Sequence, residues 1–175
     1  MYQKETRKTI AVILVISLVF FTSNTLVEVH AKTYLFTATI SPATVNINQL
    51  ATYQVIINNT GTSPLGSVSM AIPAGFTILS NVTILYPSTS WNYDLSATSI
   101  DLSVEGGGPV LAEGENATFT FDAIAPSSSM IANWTTEAFT SKDGGGGALT
   151  LQGEQPTVTV ISSPPRTFIV YGTPG

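Results

Sequence analysis

The stretch that decides the fold is ATYQVIINNTGTSPLGSVSMAIPAGFTI, residues 51–78. Apolar residues occupy every second position in two of its segments: Tyr53, Val55 and Ile57, then Val68, Met70 and Ile72. A period of two residues is typical of a β-strand with one buried and one exposed face. Between the segments, Asn59-Thr60-Gly61 has the composition of a tight turn. The stretch therefore predicts two strands, each with one apolar face.

The same period recurs along the chain from Thr33 onward, without a helical pattern of comparable length. The further apolar faces are Phe36, Ala38 and Ile40; Ile100, Leu102 and Val104; Phe119, Phe121 and Ala123; Trp134, Thr136 and Ala138; and Val158 and Val160. Short strands separated by Gly- and Pro-rich turns leave no room for long crossovers, so they pair antiparallel. We predict an all-β, antiparallel immunoglobulin-like β-sandwich of seven to nine strands, with a closed barrel as the main alternative.

Composition and charge exclude several kinds of chemistry. The 175 residues include no Cys and one His, and the formal net charge is −5. The lack of Cys excludes disulfides, thiol catalysis and Cys-ligated zinc. The negative net charge argues against a nucleic-acid partner, because contacts to phosphate need clustered Lys and Arg. If His30 leaves with a signal peptide, no Ser-His-Asp triad can form. We expect a protein that is not an enzyme and needs no cofactor.

The N-terminus has the pattern of a secretory signal. A basic cluster at residues 4–8 precedes a mainly apolar run over residues 10–21, after which the chain turns polar. As a helix this run spans about 18 Å, well short of the roughly 30 Å hydrocarbon core of a bilayer. We predict cleavage after Ala31, with an uncleaved membrane anchor over residues 10–29 as the alternative. The protein is then extracellular or at the cell surface, and membrane contact is limited to this segment.

These patterns predict three parts. Residues 1–31 are the signal peptide or anchor, residues 32–161 form the sandwich, and residues 162–175 are a Pro-rich linker followed by a C-terminal strand. The final part contains a run of high β-propensity at residues 167–171. We expect this tail to add a strand to its own sheet, with docking on a neighbouring subunit as the alternative.

Three short motifs punctuate the predicted strands. They are Asn59-Thr60-Gly61, Pro73-Ala74-Gly75, and Gly114-Glu115 ahead of alternating Thr and Phe over residues 117–121. In this order they resemble the immunoglobulin-like repeats of bacterial and archaeal surface proteins. The similar modules are the conserved-repeat family, domain of unknown function eleven, and those of secreted glycosidases and adhesion proteins. The resemblance covers roughly residues 40–160.

The resemblance implies an exported, non-enzymatic cell-surface module with a structural or adhesive role. Its partners are then cell-envelope polymers or neighbouring surface proteins. One alternative is a carbohydrate-binding accessory module of a secreted glycosidase system. A second is a self-associating, filament- or pilus-like subunit that assembles by β-strand addition.

Four Asn-x-Ser/Thr sequons follow the predicted signal, at Asn58, Asn81, Asn116 and Asn133. Each asparagine is next to an apolar position of its strand, so the alternation places it on the solvent side. A glycoprotein needs its sequons at the surface. We predict glycosylation at two or more of these sites in the exported protein.

Aromatic residues suggest one ligand site. Trp91 and Tyr93 are two residues apart on a predicted strand, with Tyr86 nearby, and together they are a candidate platform for a sugar ring. The alternative places Trp91 over the edge of the core. Trp134 is the stronger core candidate, because sandwiches of this kind often bury a Trp against the opposite sheet.

Carboxylates give two weaker alternatives. Asp101 and Glu105, with Asp94 or Asp122, offer oxygen ligands of the kind that calcium takes. The same residues are the only candidates for a glycosidase pair, which requires two carboxyl groups converging in a cleft. No EF-hand pattern is present, and the spacing does not predict convergence. We therefore expect solvated carboxylates and no metal.

Overall fold

The structure, a computed structural model, describes residues 31–79, 82–87, 90–106 and 108–162. Residues 1–30 of the predicted signal, Asn81 and the tail from residue 163 lie outside these ranges, so the predicted division into three parts stays a prediction. The described residues from Lys32 onward belong to one compact unit. They form strands and no helix. None of the described ranges therefore holds a helix long and apolar enough to cross a membrane.

Thirteen strands are present in the described ranges. They are β1 (Leu35–Ser41), β2 (Thr44–Asn46), β3 (Leu50–Asn59), β4 (Ser67–Ala71), β5 (Thr77–Ile78), β6 (Thr83–Tyr86), β7 (Trp91–Leu95), β8 (Ser99–Val104), β9 (Asn116–Ile124), β10 (Met130–Asn133), β11 (Thr136–Phe139), β12 (Ala148–Leu151) and β13 (Thr157–Ile161).

The number exceeds the predicted seven to nine because four longer stretches are interrupted. Pro42 lies between β1 and β2, and Gly153 and Pro156 lie between β12 and β13. Proline has no N–H to donate, so it ends a ladder. We also group β5 with β6, because both pair with β9, and β10 with β11, because two residues separate them. Counted as stretches, the described strands number nine.

Ten strands are joined by hydrogen bonds. Nine of them follow the order β5-β9-β3-β1-β12-β11-β4-β8-β7, and the tenth, β6, pairs with β9. We call β5, β6, β9, β3 and β1 sheet I, and β12, β11, β4, β8 and β7 sheet II. A separate sheet has the order β10-β13-β2. The prediction of purely antiparallel pairing is wrong at two places, since β1–β12 and β2–β13 are parallel. The first and last stretches of the sandwich lie side by side and run in the same direction.

The predicted apolar faces are confirmed. In β9, Ala117, Phe119, Phe121 and Ala123 are buried and the intervening residues are half-buried. The other predicted faces are buried in the same way, and only Ile40 and Ile72 are partly buried. The buried residues of both sheets form one cluster, so the apolar sides of sheet I and sheet II pack against each other. This is the sandwich that the period of two residues predicted.

An aromatic cluster lies at the centre of this core. Trp134, fully buried between β10 and β11, has its ring centroid 5.3 Å from Phe121, 5.0 Å from Phe76 and 5.9 Å from Tyr53. Tyr53 also stacks on Phe121 at 5.4 Å. Such aromatic pairs stabilise a core by about 0.5–1.5 kcal/mol beyond their buried area. The prediction that Trp134 is a core residue is confirmed.

Asn59 fixes the turn after β3 from inside. Its buried side-chain Nδ2 donates to the carbonyl oxygens of Ser63 at 2.8 Å and Leu111 at 2.9 Å, and its Oδ1 accepts from the Gly61 N–H at 3.1 Å. A Cβ on Gly61 would overlap the backbone carbonyl oxygen of Thr33, so only glycine fits there. The turn motif read from the sequence is therefore a close backbone crossing stabilised by a buried amide.

We predict that Asn59→Ala lowers the free energy of unfolding by about 2 kcal/mol, because the buried Ser63 carbonyl loses its donor. The Leu111 carbonyl and the Gly61 N–H each lose one of two partners. Urea denaturation followed by tryptophan fluorescence measures the change. Asn133→Ala is the matched control, since Asn133 is exposed, and we expect it to change stability by less than about 0.5 kcal/mol. Equal effects of the two variants would contradict this role of Asn59.

Tyr53 generates a pH-dependent prediction. Its hydroxyl is buried and has no hydrogen-bond partner among the described residues, and burial raises its pKa from 10.0 to about 12. The stability that comes from keeping this phenol neutral is complete below pH 10 and is lost as the pH rises toward 12.

We predict that Tyr53→Phe is at least as stable as the wild type at pH 8, because the unpaired hydroxyl is removed. Above pH 10 the wild type should lose up to about 1.4 kcal/mol per pH unit more than this variant. Urea denaturation at pH 8 and pH 11 tests both statements. The exposed Tyr93→Phe is the control, and it should follow the wild type at both pH values.

Candidate functional site

The outer face of sheet II carries a row of polar residues across four neighbouring strands. The strand register aligns them over β11, β4, β8 and β7 in this order: Glu137, Ser69, Asp101 and Asp94. Each lies between buried or core-facing neighbours in its own strand, so the alternation turns its side chain away from the core. We call these four residues the acidic row.

Asp101 occupies the middle of the acidic row and is half-buried. Its Oδ1 accepts a hydrogen bond from the Ser69 hydroxyl, and its Oδ2 accepts one from the Ser99 hydroxyl at 2.6 Å. Hydrogen bonds to a carboxylate are stronger than those between neutral groups, so both serines fix its orientation. The exposed Asp94 and Glu137 lie at the two ends of the row.

A depression of about 210 Å³ lies beside the acidic row on the same face. Its polar lining includes Ser67, Ser69, Asp101, Ser103, Lys142 and Asp143. Val68, Leu102 and Phe139 add apolar surface. A shallow site with convergent hydroxyls, a carboxylate and an aromatic ring is suited to a side chain of a protein partner rather than to a whole small molecule.

Lys142 holds one rim of this depression. Its Nζ donates to the carbonyl oxygens of Gly106 and Gly108, both at 2.8 Å. The loop after β11 is thereby joined to the loop after β8. Ser67 of β4 also binds the loop after β11, because its hydroxyl donates to the carbonyl of Ser141 at 2.7 Å. Two loops far apart in sequence therefore form one continuous edge.

Asp143 adds a carboxylate to this rim. The Ser141 hydroxyl donates to its Oδ1 at 2.6 Å and the Gly145 N–H at 3.1 Å. These hydrogen bonds, that of Ser141 first, lower the pKa of Asp143 below its ordinary value of 3.8. The side chain therefore contributes negative charge over the whole physiological range.

The surface as a whole is acidic. Between residues 31 and 162 the sequence has nine Asp and Glu residues against two lysines, Lys32 and Lys142. The Nζ of Lys142 donates to two backbone carbonyls. Its positive charge therefore stabilises the loops at the rim. The outer face of sheet II is thus suited to a partner of positive charge.

The carboxylates considered for calcium do not converge. Asp94 and Asp101 are cross-strand partners in sheet II, while Asp122 lies on β9 of sheet I and accepts a hydrogen bond from Thr52 at 2.6 Å. Glu105 follows β8 and accepts from the Asn92 amide at 3.4 Å. Among the described residues no group of three or more Asp, Glu, His or Cys could hold a metal ion.

The residues of the candidate aromatic platform differ in how far they are buried. Trp91 is only 8% exposed, and its indole N–H donates to the Pro109 carbonyl at 3.3 Å, whereas Tyr93 is 39% exposed. Tyr86 is 49% exposed but belongs to β6, which pairs with β9 of sheet I. The sequence-predicted set therefore presents the ring of Tyr93 on β7, with Trp91 packed against the core. Sugar binding by this pair stays a prediction.

The sequons fall on two parts of the surface. Asn58 and Asn116 are half-buried cross-strand partners on the outer face of sheet I, and Asn133 is exposed at the end of β10. Asn81 lies outside the described residues. Glycosylation at these positions stays a prediction.

The acidic row and the hydrogen bonds from Lys142 to the loop after β8 were not predicted from the sequence. Asp101 and Asp94 were candidate calcium ligands, but no sequence pattern predicted that they lie in one cross-strand row with Ser69 and Glu137. That alignment is set by strand register between segments far apart in the chain. The alternation did place Ser69 and Asp101 on outward faces, which is the part of the signal that was available.

Comparison with known proteins supports the fold. No family model and no curated protein matches this sequence. A non-cellulosomal cohesin from the archaeon Archaeoglobus fulgidus is a similar solved structure, with a TM-score of 0.51, 14% identity, and coverage of 73% of this chain and 91% of the cohesin.

Two further structures have the same fold. The third cohesin of ScaC from Acetivibrio cellulolyticus, solved in complex with the ScaB dockerin, has a TM-score of 0.52 and 10% identity over 73% of this chain and 99% of its own. An immunoglobulin-like protein from Nocardia farcinica has a TM-score of 0.52 and 15% identity over 74% of this chain and 100% of its own. The predicted immunoglobulin-like sandwich is confirmed, while membership of the conserved-repeat family stays a prediction.

We predict that Lys142→Met loosens the rim of the depression. Removing the ammonium group leaves the Gly106 and Gly108 carbonyls without this donor, so the Gly108 amide should exchange faster with solvent, and stability should fall by about 1 kcal/mol. Hydrogen exchange and urea denaturation measure the two effects. Lys32→Met makes the same charge change at an exposed position and should alter neither. Unchanged exchange at Gly108 in Lys142→Met would contradict the prediction.

Proposed function

We propose that this protein is a non-catalytic, exported cell-surface module that binds a protein partner through the outer face of sheet II. The observation that carries the proposal is the acidic row beside a depression with a fixed rim. An aligned set of carboxylates and hydroxyls on a rigid sheet recognises a partner without movement of the backbone.

The fold gives this proposal its general support. Cohesin modules share the sandwich, and one of the similar structures is a cohesin in complex with a dockerin. A sandwich of this type is thus able to bind another protein. Low sequence identity leaves the partner of this chain open, so its chemistry has to come from the surface itself.

Charge indicates the kind of partner. Asp94 and Glu137 are exposed at the ends of the acidic row, and Asp143 lies at the rim of the depression. A complementary partner presents Lys or Arg to these carboxylates and places an apolar side chain against Phe139. Complementary charge accelerates association and selects against other acidic surfaces.

The outer face of sheet I is less suited to this role. It is formed mainly by Thr, Ser, Asn and Gln side chains, and its carboxylate Asp122 already accepts a hydrogen bond from Thr52. Neutral hydroxyls on a flat face give little charge selectivity. This face is instead suited to remain in contact with water.

The alternatives from the sequence receive less support. A carbohydrate platform loses one of its two rings because Trp91 is packed against the core. For strand addition, β7 is an edge of sheet II, but the Tyr93 N–H donates to the Asn92 Oδ1 at 2.9 Å. This hydrogen bond occupies one of the backbone donors that a further strand would need for pairing.

The proposal predicts that charge reversal on the acidic row abolishes partner capture. The full chain is immobilised and exposed to envelope and secreted proteins of the source organism, and a captured protein is purified and its affinity measured by calorimetry. We expect Asp94→Arg and Glu137→Arg each to weaken this affinity at least about tenfold.

Glu113→Arg is the control, because it makes the same charge change at an exposed position outside the acidic row. We expect it to bind like the wild type. The proposal fails if no protein is captured, or if all three variants bind the captured protein equally well.

A further inference from the structure

We infer that Asn58 and Asn116 together form a glycosylation site for a single N-linked glycan, while Asn133 carries a second glycan independently. The inference uses the export in the proposed function but not the binding of a partner. The sequon motif alone does not tell which of these asparagines can hold a glycan in the folded protein.

Asn58 and Asn116 lie directly opposite each other on β3 and β9. The next residue pair along the ladder is hydrogen-bonded, since the Asn59 N–H donates to the Glu115 carbonyl at 2.9 Å. Hydrogen-bonded and non-hydrogen-bonded pairs alternate in an antiparallel ladder, so Asn58 and Asn116 form a non-hydrogen-bonded pair. Such pairs have Cα atoms only about 4.5 Å apart, and their side chains lie side by side on one face.

Two glycans do not fit at this separation. The first sugar of an N-linked glycan is attached to the side-chain nitrogen, and a pyranose ring is wider than the gap between paired side chains. Both asparagines are also half-buried by their neighbours in sheet I. A sugar on one of them therefore covers the amide of the other.

Hydrogen bonds favour Asn116 over Asn58 as the modified member. The Asn58 Nδ2, the atom that a glycan would occupy, donates to the Thr37 hydroxyl at 3.1 Å. The sequon threonine Thr60 is also engaged, because its hydroxyl donates to Gln152 at 2.6 Å. In the other sequon the Thr118 hydroxyl donates to the Asn116 Oδ1 at 3.1 Å, which leaves the Asn116 nitrogen directed elsewhere.

Asn133 is a different kind of position. It is exposed, and its neighbours Ala132 and Trp134 are buried, so its side chain extends away from the core. Its strand partner is Thr157 of β13, which belongs to none of the four sequons. A glycan there meets no second sequon, so its occupancy does not depend on Asn58 or Asn116.

The test uses the full chain with Asn81→Gln, which removes the remaining sequon. It is expressed in a host whose secretory pathway attaches N-glycans at Asn-x-Ser/Thr, and the protein is recovered from the medium. Intact mass spectrometry counts glycans per molecule, and peptide mapping locates them. We expect at most two glycans per molecule, one at Asn133 and one in the pair, chiefly at Asn116.

Two variants separate competition from independent occupancy. In Asn116→Gln, occupancy at Asn58 should rise several-fold, whereas the matched Asn133→Gln should leave Asn58 unchanged. Three glycans on one molecule, an unoccupied Asn133, an unoccupied pair, or an Asn58 occupancy indifferent to Asn116→Gln would each overturn the inference. Unglycosylated protein in the medium would refute it without affecting the capture experiment, which measures partner binding alone.

Discussion

The packing of sheet I against sheet II through one aromatic cluster is the constraint on which the rest of the structure depends. Trp134 contacts Tyr53 and Phe121 from sheet I, and these side chains fill the space between the layers. Each strand must therefore keep one side apolar. The other side of each strand is free of packing demands, and the acidic row, Asn58 and Asn116 lie there. The residues that we propose for function lie on faces that do not pack in the core.

The buried polar groups show how that constraint is maintained at the ends of strands. Asn59 satisfies two carbonyls and one N–H inside the molecule, so the turn after β3 can approach the backbone near Thr33 closely. Lys142 performs a similar task at the surface by joining two loops. Neither side chain packs in the core. Both side chains restrict loops that are rich in Gly and Ser and would otherwise be flexible. At Lys142 this restriction gives the depression beside the acidic row a fixed rim.

Particular elements show where sequence reasoning succeeded and where it failed. The long strands β3, β4, β8 and β9 were predicted because each has a run of alternating residues long enough to be recognised. Short strands such as β2 and β5 were not, because two or three residues carry no period. The parallel pairs were missed since antiparallel pairing was assumed wherever crossovers were short. Trp91 was placed on a strand, and its burial agrees with the interpretation that it covers the edge of the core, whereas its hydrogen bond to Pro109 of another loop was not predicted.

The sequence by itself determined the fold class, the apolar faces and the outward direction of Ser69, Asp101, Asn58, Asn116 and Asn133, because a period of two residues is a local property of the chain. Only the tertiary structure decided which of these outward residues are neighbours. Asp101 meets Ser69, and Asn58 meets Asn116, through the register of strands that are distant in sequence. Register is set by the collective packing of both layers, and a shift by two residues would preserve every apolar face while changing every neighbour.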